Sequence, residues 1–192
     1  MATTWVSICN MALIRCGAKK VISSLAEEPN GTLCAEVYEA ARDEVIEENK
    51  QGWRDTKVRV TIAVDATAPE GNEYAYRYLL PASPWCLKIL KIENEPDYVI
   101  EGRYILTNQA TELDVLYSAR ITDPTNITAH LAKAIAARIA EKVLYRLVQD
   151  KLLRDRIVLA AKEDILAARQ ADAMSNSSPS SDEQGGYLWD VR

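Results

Sequence analysis

The chain has 192 residues, 48% hydrophobic and 27% charged, and its 23 Lys plus Arg against 28 Asp plus Glu leave a net charge of −5. That composition excludes wholesale disorder, a collagen repeat and a membrane bundle, and the length suits one domain or two small ones with a real core. A free-standing nucleic-acid binder draws most of its affinity from cations that neutralise phosphates, which an acidic chain supplies poorly. A single His argues against His-based catalysis and His-rich metal sites. The opening Met-Ala-Thr-Thr-Trp lacks the basic and apolar regions of a secretory signal, and no apolar run reaches transmembrane length, so no membrane partner is expected.

In chain order, the first helix is expected from about Thr4 to Cys16, with Thr3 or Thr4 as its cap and Gly17 as its stop. Ser24-Leu-Ala-Glu27 resembles a capping box, but Pro29, Asn30 and Gly31 follow closely and predict a tight connector. A long helix follows from about Thr32 to Lys50. Cys34, Val37, Tyr38, Ala41 and Val45 form its buried stripe, Glu36, Glu39, Asp43 and Glu47 form an acidic face, and Trp53 anchors its exit. The period then changes to two. Val58, Val60 and Ile62 mark one strand, Tyr74, Tyr76 and Tyr78 a second, 86–92 a third, and Leu113, Val115 and Tyr117 the last. Between them Tyr98 to Thr107 reads as a hairpin turning near Glu101-Gly102. Asp123-Pro124 restarts helix, with segments at about 124–149 and 151–173. Leu131, Ile135, Ile139 and Val143 give the first an apolar side. Leu152, Leu159 and Leu166 step by seven in the second, a seam for helix-on-helix packing.

The expected fold class is α+β: an antiparallel four-helix bundle of N- and C-terminal helices, an inserted small antiparallel β-sheet domain and an extended C-terminal tail. The expected division is a discontinuous helical bundle of 1–56 and 121–173, a β domain of 57–120 and a tail of 174–192. The Ser/Gly-rich stretch after Ser175 cannot bury a core, yet it ends in Tyr187, Leu188, Trp189 and Asp190, which read as an aromatic docking hook.

No nucleotide loop, nucleophile elbow or zinc-protease motif is present, and Cys9, Cys16, Cys34 and Cys86 fit no zinc spacing. These cysteines read as small buried hydrophobes and His130 as a structural or surface residue. Arg138, Lys142 and Arg146 form a basic stripe at helical spacing, read as a solvated face or as partners for a neighbouring subunit's acids. The tyrosine row of 74, 76 and 78 reads as core or interface packing. No catalytic residue, cofactor or metal is expected, and the chain is expected not to be an enzyme.

Several segments carry a resemblance. Asn10-Met-Ala-Leu-Ile-Arg-Cys-Gly-Ala18 resembles the opening N-x-A-L-x-x-x-G helix of bacteriophage tail tubular protein A, the head-to-tail adaptor family of short-tailed phages. Ile22-Ser-Ser-Leu-Ala-Glu27 is similar to the connector of that family. Tyr38, Ala41-Arg42-Asp43-Glu44 and Trp53 resemble its second-helix pattern. Tyr76-Arg-Tyr-Leu-Leu-Pro81 with 86–90 is similar to its Y-x-L-P-x-x-C-L stretch, and Glu101-Gly102-Arg103, Tyr117 and Thr122-Asp123-Pro124 follow in order. The pattern departs at Arg54-Asp55-Thr56, where the family is usually apolar.

The resemblance implies a virion protein assembled in the host cytoplasm and placed in the neck or tail. It implies a self-associated ring, twelve-fold in relatives, between the portal protein and the tail nozzle (tail tubular protein B), with contacts to tail fibres and DNA only as passing cargo. On that reading Tyr187, Leu188, Trp189 and Asp190 dock on the portal and Glu101, Gly102 and Arg103 face the nozzle. Arg138, Lys142 and Arg146 then lie between subunits or along the lumen. The other readings are a monomeric or dimeric scaffolding or regulatory module docking one partner through its C-terminal aromatic motif, a carboxylate-pair hydrolase and a nucleic-acid-binding module.

Overall fold

The computed structural model describes residues 3–176 apart from 19–22, 27, 70, 72 and 95. Among the described residues four helices and six strands follow in the order α1 (Trp5–Arg15), α2 (Pro29–Glu48), β1 (Lys57–Ile62), β2 (Tyr76–Leu79), β3 (Cys86–Ile92), β4 (Tyr98–Glu101), β5 (Tyr104–Thr107), β6 (Leu113–Ala119), α3 (Ala129–Leu147) and α4 (Lys151–Asn176). The class is α+β.

Local chemistry accounts for most of the boundaries. Thr4 caps α1 by accepting from the Ser7 amide at 3.1 Å, while the Ser7 hydroxyl accepts from the Thr4 amide at 2.9 Å, a reciprocal box built with Ser. α2 starts three residues before the expected Thr32, because Pro29 has the φ its first turn needs. Gly31 sits inside that helix for steric reasons: a Cβ there would stand 2.4 Å from the Ser24 carbonyl oxygen. Asp123-Pro124 opens only a 3-10 turn, Pro124–Asn126, with the Asp123 carboxylate accepting from the Thr125 amide at 2.9 Å. The α-helix proper begins at Ala129.

The expected four-helix bundle with an inserted sheet is not what forms. α1, α2 and α4 all pack around α3, which acts as a common axis. The physical reason lies in side-chain size. α3 carries Ala132, Ala134, Ala136, Ala137 and Ala140, all buried, so neighbours approach it from several sides. α4 docks on it through Ala161, Ile165 and Ala168, and the leucines expected to close the bundle face outward.

The expected single sheet is also replaced, by two three-stranded antiparallel sheets ordered β1–β6–β3 and β2–β5–β4. They share one apolar core of Ile62, Tyr78, Cys86, Ile92, Ile105, Val115 and Tyr117. Both buried tyrosines satisfy their hydroxyls: Tyr78 donates to the carbonyls of Gln109 and Thr111 at 2.6 and 2.7 Å, and Tyr117 to that of Pro84 at 3.1 Å. A second core joins the four helices around Trp53, whose indole N–H donates to the Val45 carbonyl at 2.9 Å.

The two cores meet along β3 and a short turn. Register shifts between Cys86 and Lys88 and between Ile89 and Lys91 break the alternation of β3. Cys86 and Ile92 face the sheet core and Leu87 the helices, while Ile89, which plain alternation would turn away with Leu87, also packs on the sheet core. The turn is Arg54–Thr56, the stretch that departs from the resemblance. The Arg54 amide donates to the Asp172 carboxylate of α4 at 3.1 Å, the Asp55 carboxylate accepts from the Thr128 amide at the start of α3 at 2.7 Å, and the Thr56 hydroxyl lies 3.4 Å from that of Ser118 on β6. Three polar residues thus tie both helices and the sheet to one point.

Candidate interaction surfaces

α4 has two apolar faces. Ala161, Ile165 and Ala168 are at most 5% exposed against α3, whereas Leu152, Leu159 and Leu166 are 61%, 60% and 57% exposed. These leucines, expected as a helix-packing seam, face outward, and among the described residues no helix covers them. Arg156, Lys162 and Glu163 flank the row, so its margin carries both signs. Met11 and Ile14 form a smaller exposed apolar patch on α1.

The basic stripe is engaged inside the chain. Arg138 reaches Glu48 at 2.6 Å and Glu141 at 2.9 Å, Lys142 reaches Glu44 at 2.6 Å, and Arg146 lies 3.9 Å from Glu36. Arg169 of α4 joins the same Glu48 at 2.9 Å. The stripe therefore meets Glu44 and Glu48 of α2, and touches the expected acidic face only at Glu36, so its charges are paired inside the chain.

The hairpin candidates separate. Glu101 and Gly102 are exposed at the tip, where Gly102 has φ +58°, inside the left-handed region that glycine adopts freely. Arg103 folds back. Its guanidinium donates to the carbonyls of Cys86, Leu80 and Pro81 at 2.9, 3.1 and 2.7 Å and stacks on Trp85 at 3.9 Å. It braces the junction of the sheets rather than facing outward. The hook residues Tyr187, Leu188, Trp189 and Asp190 lie outside the described residues.

A cleft of about 320 Å³ opens where α1, α2 and the 122 region meet, lined by Trp5, Leu25, Ala35, Tyr38, Glu39, Arg42 and Thr122. The Trp5 and Tyr38 rings cross edge to face at 4.7 Å. Burial pushes the Tyr38 phenol well up, so it stays a donor at neutral pH. Arg42 is 4% exposed; its Nε donates to the Asp43 carboxylate at 2.8 Å, and the other oxygen of Asp43 accepts from Arg120 at 2.7 Å.

The cysteines are shut away. Cys9, Cys16, Cys34 and Cys86 are all buried as free thiols. Burial raises Cys16 and Cys86 to about 11 each. Cys9 shares a hydrogen bond with Cys34 that, with burial, holds its thiol up and draws the accepting Cys34 down. Both are 0% exposed, so neither meets a reagent. His130 is half-buried beside Leu131. Among the described residues no group of three His, Cys, Asp or Glu is arranged to hold a metal, and no helix is long and apolar enough to cross a membrane.

The chain matches no protein-family model and no curated protein sequence.

Proposed function

We propose that the protein is a structural virion component, a head-to-tail adaptor whose copies form a ring between portal and tail nozzle and line the DNA conduit. The observation that carries this reading is the exposed leucine row of α4. Three leucines on one helix face, nearly opposite the face already buried on α3, are a helix-packing surface in search of a helix. A neighbouring copy supplies one, and a closed ring joins two different patches of the same chain. The Met11 and Ile14 patch of α1 is a second patch for such a contact. The net charge of −5 suits a conduit, since like charge keeps DNA from adhering to its wall. The ordered resemblance of the α1, α2 and β2–β3 segments to the adaptor family supports the same reading.

Docking on the portal would be multivalent: many weak hooks on one ring gain avidity through effective concentration. The test is electron microscopy of the protein purified from its native assembly, with class averages sorted by symmetry. The expected particle is a ring stacked coaxially on a second, larger ring. Small asymmetric particles carrying a single partner overturn the adaptor and favour the scaffolding module.

A further inference from the structure

The cleft between α1 and α2 holds two hydrogen-bond donors without a recipient. The Tyr38 hydroxyl is shut off from bulk solvent and has no partner among the described residues, although Tyr38 is only 6% exposed. Beside it, Arg42 spends its Nε on Asp43, and its terminal nitrogens engage no described residue. Its guanidinium carbon lies 6.0 Å from the Tyr38 ring centroid, and both side chains line the cleft. Leaving a buried hydroxyl such as that of Tyr38 unpaired costs more than an ordinary hydrogen bond returns, so the cleft favours an acceptor brought from elsewhere. Of the remaining described lining, Trp5, Leu25 and Ala35 are apolar, and Glu39 and Thr122 are polar and exposed. The matching ligand is an acidic group adjoining large apolar side chains.

The chain carries one segment of that chemistry outside the described residues: Tyr187-Leu188-Trp189-Asp190. We propose that this segment seats in the cleft of its own chain. The Asp190 carboxylate accepts from the Tyr38 hydroxyl and the Arg42 guanidinium, and the aromatic side chains lie against Trp5 and Leu25. The reach suffices. α4 passes the foot of α2, where Arg169 pairs with Glu48, and ends seven residues, roughly 10 Å, further on. Glu48 stands ten residues, roughly 15 Å, along α2 from Tyr38. The eleven residues from Asn176 to Tyr187 span up to roughly 35 Å when extended. The exposed leucine row offers the hook a greasy surface too, but it has no buried donor to read a carboxylate.

The inference stands apart from the adaptor reading, because it concerns one chain. If that reading also holds, the cleft is where the hook waits until a larger ring offers a better seat.

Disulfide trapping in the full-length protein tests it. Leu25→Cys paired with Leu188→Cys places a thiol on each side of the proposed contact, and the four native thiols are buried. Leu159→Cys paired with Leu188→Cys is the control for random collision. Under mild oxidation the first pair is expected to close within the monomer faster than the control. Asp190→Asn and Tyr38→Phe, each in that background, should slow closure by about five-fold, the loss of one hydrogen bond. Neither of these substitutions removes a packed side chain of the core. Closure no faster than the control, or unchanged by both substitutions, overturns the proposal. A ladder of covalent oligomers in place of a closed monomer also overturns it, by giving the cleft to a second copy's tail. Whether rings appear in the microscope is read separately, so either idea can fail alone.

Discussion

α3 and α4 look alike as sequences and behave differently as structure. Both carry aliphatic residues at helical spacing and both are rich in alanine. In α3, Leu131, Ile135, Ile139 and Val143 are fully buried and the alanines around them are buried as well. In α4, the alanines at 161 and 168 are inside and the leucines at 152, 159 and 166 are outside. Apolar spacing marks a face that wants a neighbour. Which face meets the chain's own core is decided by close approach, and small side chains allow it. The outward leucines are thus left for whatever lies beyond the chain.

The largest effect that separates the two helices is a cavity in α3. Ile139→Ala should cost about 2–5 kcal/mol, because the rigid surroundings of a fully buried isoleucine cannot collapse onto the gap. Urea unfolding followed by tryptophan fluorescence, to which Trp53 in the same core contributes, reads it. A loss under about 1 kcal/mol would mean that α3 is not the axis of the helical unit. The close approach of α4 is tested by the opposite change. Ala168→Leu should cost about 1–3 kcal/mol through overpacking against α3, with a lower urea midpoint and an unchanged slope.

Element order and most boundaries were legible, because caps, turns and periods are local. Thr4, Gly102 and the alternation of Val58, Val60 and Ile62 are examples. What could not be read depends on partners far along the chain. Gly31 looks like a helix breaker until the Ser24 carbonyl is placed against it. Arg103 looks like a hairpin tip until three carbonyls and Trp85 are seen to hold it. Arg54, Asp55 and Thr56 look like a polar lapse, and they prove to be the tie between helices and sheet. The leucine row was legible as an apolar stripe, but its spacing carries no information on whether the chain's own helices cover it, and they do not among the described residues. Tyr38 was legible as part of a buried stripe. The buried Arg42 beside it gave no signal, since a charged residue on a helix is normally solvated.

The polar margin between α1, α3 and α4 gives a smaller effect with a clear sign. Asp164 accepts from Lys133 at 2.8 Å and also pairs with Arg15. Those hydrogen bonds, Lys133's foremost, hold its carboxyl below the ordinary aspartate value. A carboxyl lowered in the folded state stabilises the fold above its unfolded value, and that stability is lost as pH falls through the folded one. Asp164→Asn should therefore cost about 1 kcal/mol at pH 7, since the pair is only partly screened. The gap between the two proteins should close as pH falls below about 4. A gap that stays constant down to acid unfolding would assign the cost to geometry rather than charge.

The smallest expected change in stability is at the leucine row, and it sharpens the comparison most. Leu159→Ala removes a side chain that is 60% exposed, so at dilution the urea midpoint should match the unaltered protein within about 0.5 kcal/mol. Helix propensity does not oppose this, because Ala is the better helix former. The same substitution should act strongly where copies meet. Each leucine buried by a neighbour contributes up to about 1.5–3 kcal/mol, and a ring repeats that contact at every joint. Light scattering over a concentration series reads the second effect and denaturation the first. Leu159→Ala that unfolds easily would mean the row is part of the chain's own core. Leu159→Ala that folds normally and assembles normally would mean the row faces solvent in the assembly too. Only normal folding with weakened assembly fits a surface kept for a neighbour.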